Sequence, residues 1–391
     1  MRTILLELLL LSTVASAQQN FLVPTPPMGW MTWNYFDVNI HENDIREMAD
    51  ALVQSGMAEL GYNYIYIDDG WEGGRDKRNN IIPDPQKFPS GIKALADYLH
   101  DKGLKLGIYS DAGQLTCEGF TGSYGFEVQD AKTFASWGID YLKYDYCNAP
   151  QDSVTAKMRY KAMADALRES GRDIVFSICC QSRLQPWKWA EAAGGHLWRI
   201  GPDARDKWEN ILVAINANAN LHEYAGPGRW NDMCMLSAGL YGKGGRASLK
   251  QGATGCTDIE YQTQMSIWCM MAAPLTASSD IRNMNEATKR ILLNKEVIAL
   301  DQDVLGKQAE RKIENDTWDV FVKQLSNGDY AVAILNLSDA SQNFRIEFQE
   351  IGLLDKYEIR DLWEQKVICK AKKWQGQVLS HETKVFRLKK I

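Results

Sequence analysis

Zinc-binding patterns are missing from this 391-residue sequence: its five histidines form no His-x-x-x-His or His-x-His cluster, and its eight cysteines contain no Cys-x-x-Cys pair. No Gly-x-Gly-x-x-Gly follows any strand-like run, so nothing points to a dinucleotide. An excess of positive charge is also lacking. With 44 basic and 50 acidic residues the net charge is −6, which offers no electrostatic basis for holding a nucleic-acid backbone or an anionic membrane. After the first residues no run is long and apolar enough to span a bilayer, and no repeat or low-complexity tract occurs. Neither metal, cofactor, nucleic acid nor membrane span is expected.

What is present at the N-terminus is a leader pattern. Met1-Arg2 gives a short positive region, Ile4 to Val14 is largely apolar though Glu7 interrupts it, and Ala15-Ser16-Ala17 is a small-residue cleavage site. Residues 1–17 are read as a signal peptide cut after Ala17, which makes the protein exported (secreted or periplasmic). Two Asn-x-Ser/Thr matches, Asn315 and Asn336, would permit surface glycosylation in a eukaryotic host.

A content of 45% hydrophobic and 24% charged residues is that of a globular chain with a large core. From Pro27 to Asn294, apolar strand-like runs alternate with stretches of helical period. Tyr62 to Ile67, Leu104 to Tyr109, Tyr141 to Tyr146 and Ile174 to Ile178 are strand candidates. One intervening helix starts at Ser90 as N-cap, puts Ile92, Leu95, Ala96 and Leu99 on one face and stops at Gly103. Another carries Met158, Ala162, Met163, Ala166 and Leu167 and ends at Gly171. Alternation over this length predicts an α/β fold, a (β/α)8 TIM barrel over residues 18–306. After Lys307 the texture changes. No proline occurs beyond Pro274, and Trp318 to Val322, Tyr330 to Leu335, Phe344 to Phe348, Tyr357 to Ile359 and Val385 to Leu388 are short strands separated by turns such as Asn327-Gly328. Residues 307–391 are expected to form a C-terminal antiparallel β domain.

Acidic clusters fall where barrel strands should meet their following loops: Asp68-Asp69, Asp145, and Asp203. Lys143 and Asp145, two apart in a strand, point the same way into the barrel mouth. The ammonium should then favour an ionised Asp145, suiting a nucleophile; a buried structural ion pair is the competing reading.

Taken in order, Pro26-Pro27-Met28-Gly29-Trp30-Met31-Thr32-Trp33-Asn34, Tyr66-Ile67-Asp68-Asp69-Gly70-Trp71, Gly107-Ile108-Tyr109-Ser110-Asp111-Ala112-Gly113, Leu142-Lys143-Tyr144-Asp145, Trp198-Arg199 with Asp203, Trp230-Asn231-Asp232 and Asp301-Gln302-Asp303-Val304-Leu305-Gly306 resemble the α-galactosidases of glycoside hydrolase family 27. That resemblance implies a retaining exo-glycosidase without a metal, on a barrel followed by a β-sandwich, acting on an α-galactosyl oligosaccharide or polysaccharide. Asp145 would be its nucleophile and Asp203 its general acid/base. Trp198 and Trp208 near Asp203 would suit a raised pKa, and Arg199 would oppose it. Asp68 and Asp69 would accept from the hydroxyls at the C4 and C6 end, Lys143 and Arg199 would donate, and Trp33 and Tyr109 would wall the pocket. Cys117 and Cys147 match a disulfide of the family.

Departures from the family pattern bear on specificity. Cys180 stands where the usual Glu reads the 2-hydroxyl, Gln181 replaces a Trp, Gly195 stands at the place of a cysteine partner, and Cys234 replaces an Asp. Cys180 and Cys234 are expected on the C2 side of the pocket, as a disulfide, with Cys179 as competing partner, or as small buried hydrophobes. β-L-arabinopyranosidase or α-N-acetylgalactosaminidase activity, and a non-catalytic carbohydrate binder, are the rival functions.

Overall fold

Residues 21–245 and 255–391 are described by the computed structural model of this chain; the leader and its cleavage site at Ala17 lie outside them. Eight parallel strands follow one another in sequence: β1 (Met28–Met31), β2 (Tyr62–Tyr66), β3 (Lys105–Asp111), β4 (Tyr141–Asp145), β5 (Val175–Ile178), β6 (Leu197–Arg199), β7 (Trp230–Asp232) and β8 (Leu275–Ala277). β8 pairs back onto β1, and a parallel bridge from Leu236 to Ala277 joins the segment after β7 to β8, closing the barrel.

Helices return the chain between most strands: α1 (Glu42–Gln54), α2 (Gly91–His100), α3 (Glu127–Trp137), α4 (Ser153–Glu169), α5 (Trp208–Asn218), α6 (Asp258–Met270), and after β8 the pair α7 (Glu286–Leu292) and α8 (Lys295–Asp301). Between β5 and β6 two 3-10 turns, Ser182–Leu184 and Pro186–Lys188, replace the helix. The expected face of α2 is buried, but Ser90 at its N-cap does not cap it; the hydroxyl donates instead to Glu42 at 2.8 Å, tying α2 to α1. In α4 three residues of the expected stripe, Met163, Ala166 and Leu167, are buried, while Met158 and Ala162 are exposed; the buried face continues instead through Ala156 and Tyr160, whose ring packs against Tyr144 and Tyr146.

The barrel interior is filled largely by aromatic residues. Tyr64 and Tyr66 stack at 5.4 Å, Tyr141 lies 4.7 Å from Tyr66, and Leu197, Val175 and Trp230 complete the layer. Gly29 and Gly107 make room for it: a Cβ at Gly29 would lie 2.3 Å from the Tyr64 carbonyl, and one at Gly107 2.4 Å from the Tyr66 ring.

Beyond α8 the chain forms an antiparallel sandwich. Its six-stranded sheet is ordered β9 (Glu310–Glu314), β10 (Trp318–Gln324), β11 (Tyr330–Asn336), β16 (Thr383–Lys390), β13 (Tyr357–Asp361), β14 (Lys366–Ala371), and a second sheet pairs β12 (Gln342–Glu347) with β15 (Lys373–Val378). Alternation along β10 sends Val320 and Val322 into the sandwich core and Phe321 toward the barrel core. Lys323, on the same side as Phe321, donates to the Cys269 carbonyl at the end of α6, 3.0 Å away. The strands missed from sequence, β9, β14 and β15, present mostly polar or exposed residues. Asn336 is fully buried and donates to three carbonyls, of Ala340, Val378 and Leu379, so in the folded protein it is no surface acceptor; Asn315 is exposed.

Candidate active site

The C-terminal ends of the barrel strands bring the acidic clusters to one mouth. β3 and β4 pair in register, Tyr109 with Lys143 and Asp111 with Asp145, so four functional side chains stand in two adjacent rows. Asp145 accepts from the Tyr146 amide at 2.9 Å and from the Tyr109 hydroxyl at 3.3 Å. Asp68 follows β2, accepts from the Asp69 amide and receives the Lys143 ammonium at 2.7 Å. The same ammonium sits over the Tyr109 ring, 5.2 Å from its centre. Trp33, half-buried, packs on the interior cluster that includes Met31, Cys234 and Met235.

Two loops are pinned beneath this row. Cys117 and Cys147 form a disulfide with Cα atoms 5.1 Å apart, joining the loops after β3 and β4. It holds the Glu118 amide 3.0 Å from Asp69 and the Cys147 amide 2.9 Å from Asp111. Burial, with the neighbouring carboxylates adding to it, raises both Asp69 and Asp111 to about 7. Asp111 and Asp145 approach Cys117 and Cys147 closely enough to suggest a ligand set. The sulfurs are bonded to each other, so neither is a thiolate free to act as a ligand.

On the other side of the mouth Arg199 ends β6 and is buried. Its Nη1 donates to Asp203 at 2.7 Å, and its Nε lies 3.5 Å from Asp232 of β7, the residue it faces in register. Asp203, on the following loop, has a carboxylate 61% exposed. Partial desolvation acts to raise its pKa, but Arg199 and Lys143 outweigh it and hold it below the usual carboxylate range. The tryptophans expected near it are engaged elsewhere, Trp198 with Asn231 at 2.8 Å and Trp208 stacked on His381.

Asp145 shows the opposite shift. Burial raises it; Lys143 opposes the rise and Asp203 adds to it. Lys143 acts on Asp145 in the expected sense, favouring the carboxylate, but its nearest partner is Asp68, and burial outweighs it, so the Asp145 carboxyl lies above its ordinary value.

The cysteines also differ from expectation. Along β5 and its extension Val175 belongs to the interior layer and Ser177 lines the mouth, whereas Phe176, Ile178 and Cys180 belong to the outer core under the helices. Cys180 therefore packs in the core. Cys179 is the thiol set among Asp145, Arg199, Lys143 and Asp203. Gly195 abuts Ile178, 2.7 Å from where its Cβ would lie, and not Cys179. Cys234 does lie at the mouth, with φ of 72° and its sulfur accepting from the Ala204 amide at 3.2 Å. Cys179, Cys180 and Cys234 are all unpaired and buried. Burial raises each of these thiols, Cys180 to about 12, so they are neutral.

Known proteins are similar to this chain in sequence and in fold. The family model for alpha galactosidase A matches residues 25–303, and that for the alpha galactosidase C-terminal beta sandwich domain matches residues 315–388. Alpha-galactosidase A of Cellvibrio japonicus is 43% identical over 408 residues, covering 98% of this chain and 97% of the relative. Alpha-galactosidase of Oryza sativa subsp. japonica is 42% identical, covering 95% and 86%. The crystal structure of alpha-galactosidase I from Mortierella vinacea superposes with a TM-score of 0.89 at 34% identity, covering 95% of this chain and 98% of that one. By sequence, by both domains and by fold, the chain belongs to the α-galactosidases of glycoside hydrolase family 27.

Proposed function

We propose that this α-galactosidase removes terminal α-D-galactosyl residues from oligo- or polysaccharides by a retaining double displacement, and that it is exported. The observation that carries the reading is the pair of carboxyls at one barrel mouth, Asp145 on a strand end and Asp203 on the next-but-one loop, with Arg199 donating to Asp203 and the charge of Lys143 acting on Asp145. Retention requires two carboxyls ~5 to 5.5 Å apart, one to attack and one to exchange a proton.

In the first step the Asp145 carboxylate bonds to the anomeric carbon as the glycosidic C–O bond breaks, and the Asp203 proton passes to the leaving oxygen. In the second, Asp203 takes a proton from water, whose oxygen bonds to the anomeric carbon and releases Asp145. The pair therefore shares one proton. Burial pushes the Asp145 carboxyl up, while Arg199 and Lys143 hold Asp203 down. Sugar hydroxyls that engage Arg199 loosen its hold on Asp203, and the proton settles there as the reaction needs.

Azide distinguishes the roles. Asp145→Ala should give the β-galactosyl azide, by direct attack in the emptied space, and Asp203→Ala the α-azide, from a covalent intermediate that still forms; the reversed pattern overturns the assignment. A panel of chromogenic α-galactoside, α-N-acetylgalactosaminide and β-L-arabinopyranoside tests the sugar, with the first expected to turn over fastest. Export rests on the leader pattern of residues 1–17, and the exported protein should begin at Gln18.

A further inference from the structure

Asp232 has no part in the bond making described above, yet it is the second carboxylate on Arg199. We infer that Asp232 is a positioning residue that acts through Arg199 on Asp203, balancing the guanidinium so that Asp203 can take up the proton it delivers to the leaving oxygen. The inference rests on the reading of Asp203 as acid/base.

The geometry carries it. Arg199 is 5% exposed and its Nε is buried without a hydrogen bond, drawn by charge toward Asp232 at 3.5 Å while Nη1 binds Asp203. The two carboxylates are held differently. Asp232 lies on a strand, 15% exposed, and its Oδ1 is fixed by the Cys234 amide at 2.7 Å; Asp203 rides on an exposed loop. A buried arginine facing Asp203 alone would keep that carboxyl ionised and useless as an acid. A fixed anion behind the guanidinium weakens that grip.

The other charged and titratable groups around Asp203 leave this task to Asp232. From β4 come Lys143, committed to Asp68, and Asp145, whose charge changes during the reaction; from the loop of Asp203 itself comes Arg205. Cys179 after β5 and Cys234 after β7 are neutral thiols.

The test is the pH dependence of kcat/KM on two galactosides, one with a nitrophenyl leaving group that needs little protonation and one with an alkyl group that needs it. Asp232→Asn keeps the Oδ1 acceptor for the Cys234 amide and removes the charge. It should move the alkaline limb down by about one pH unit, within the range a neighbouring charge imposes. Hydrolysis of the alkyl substrate above that limb should fall about tenfold while the nitrophenyl substrate is little affected. Cys234→Asp, at a left-handed φ that aspartate tolerates, places a further anion by Arg199 and should move the limb up. Asp203→Asn serves as reference and should abolish the limb. A limb that persists in Asp203→Asn overturns the assignment of the acid. A limb lost there but unmoved in Asp232→Asn, or equal losses on both substrates, overturns the role of Asp232. Should Asp232→Asn fail to fold, Cys234→Asp decides: an unmoved limb overturns the inference.

Discussion

Lys143 Nζ lies 2.7 Å from Asp68 Oδ2, so the cation that sequence spacing sets beside Asp145 is bonded to the end of a different strand. Both side chains are nearly buried, 10% and 3% exposed, and each is the other's answer to desolvation.

Breaking this pair should therefore cost more than the pair itself contributes. Asp68→Asn is expected to lower stability by about 3 kcal/mol, because the ammonium is left without its carboxylate, and Asp68→Asn with Lys143→Met should recover most of it. Thermal unfolding of the single and double variants checks this. Both should raise KM for galactosides, since both remove groups that face the sugar.

Asp69 gives a pH signature of stability. Its folded-state pKa, about 7, lies above the unfolded value near 3.8, so the folded protein retains a proton that the unfolded chain has lost between those limits. Stability should fall as pH rises from about 4 to 7 and level off above. Asp111, also raised to about 7, adds in the same sense. Each group contributes a slope of at most about 1.4 kcal/mol per pH unit. Denaturant unfolding of Asp69→Asn across this window should show a shallower decline.

Opening the Cys117–Cys147 bond, which closes 30 residues, should cost about 3 to 4 kcal/mol by loop entropy. It should also reduce kcat/KM before the fold is lost, because Glu118 then no longer holds Asp69. Activity and unfolding of Cys117→Ser with Cys147→Ser, read in the same buffer, separate the two effects.

The neighbouring thiols should behave oppositely. Cys179→Ala should raise KM for galactoside about 3- to 10-fold, the worth of one hydrogen bond, with little change in stability. Cys180→Ala should leave KM alone and lower the melting temperature, since it removes packing against the outer core.

The barrel, the sandwich and most mouth residues were legible because alternating apolar runs set the strands and the acidic clusters sit at their ends. Other features depend on phase and on partners. Met158 and Ala162 fall outside the buried face of α4, which takes in Tyr160 instead, and alternation past the end of β5 sets Cys179 among the charged groups of the mouth. That Lys143 bonds Asp68 rather than Asp145 is a tertiary matter: they stand 75 residues apart in sequence, on different strands, and spacing within one strand says nothing of it. β14, exposed along nearly its whole length, has little apolar pattern to read.

The tyrosine layer under the mouth makes the barrel a well with a floor. Tyr66 and Tyr141, 4.7 Å apart, pack with Leu197, Val175 and Trp230 across the barrel beneath the row of Lys143 and Asp145, and among the described residues they fill the way to the opposite face. Traffic therefore has a single doorway. A chain can offer only its tip, and in a double displacement the departing part of the chain must clear the rim before water can come in by the same way. Any hydroxyl compound crowded at that rim competes with water for the sugar left on Asp145, so the balance between cutting and transfer is set by what waits at the door.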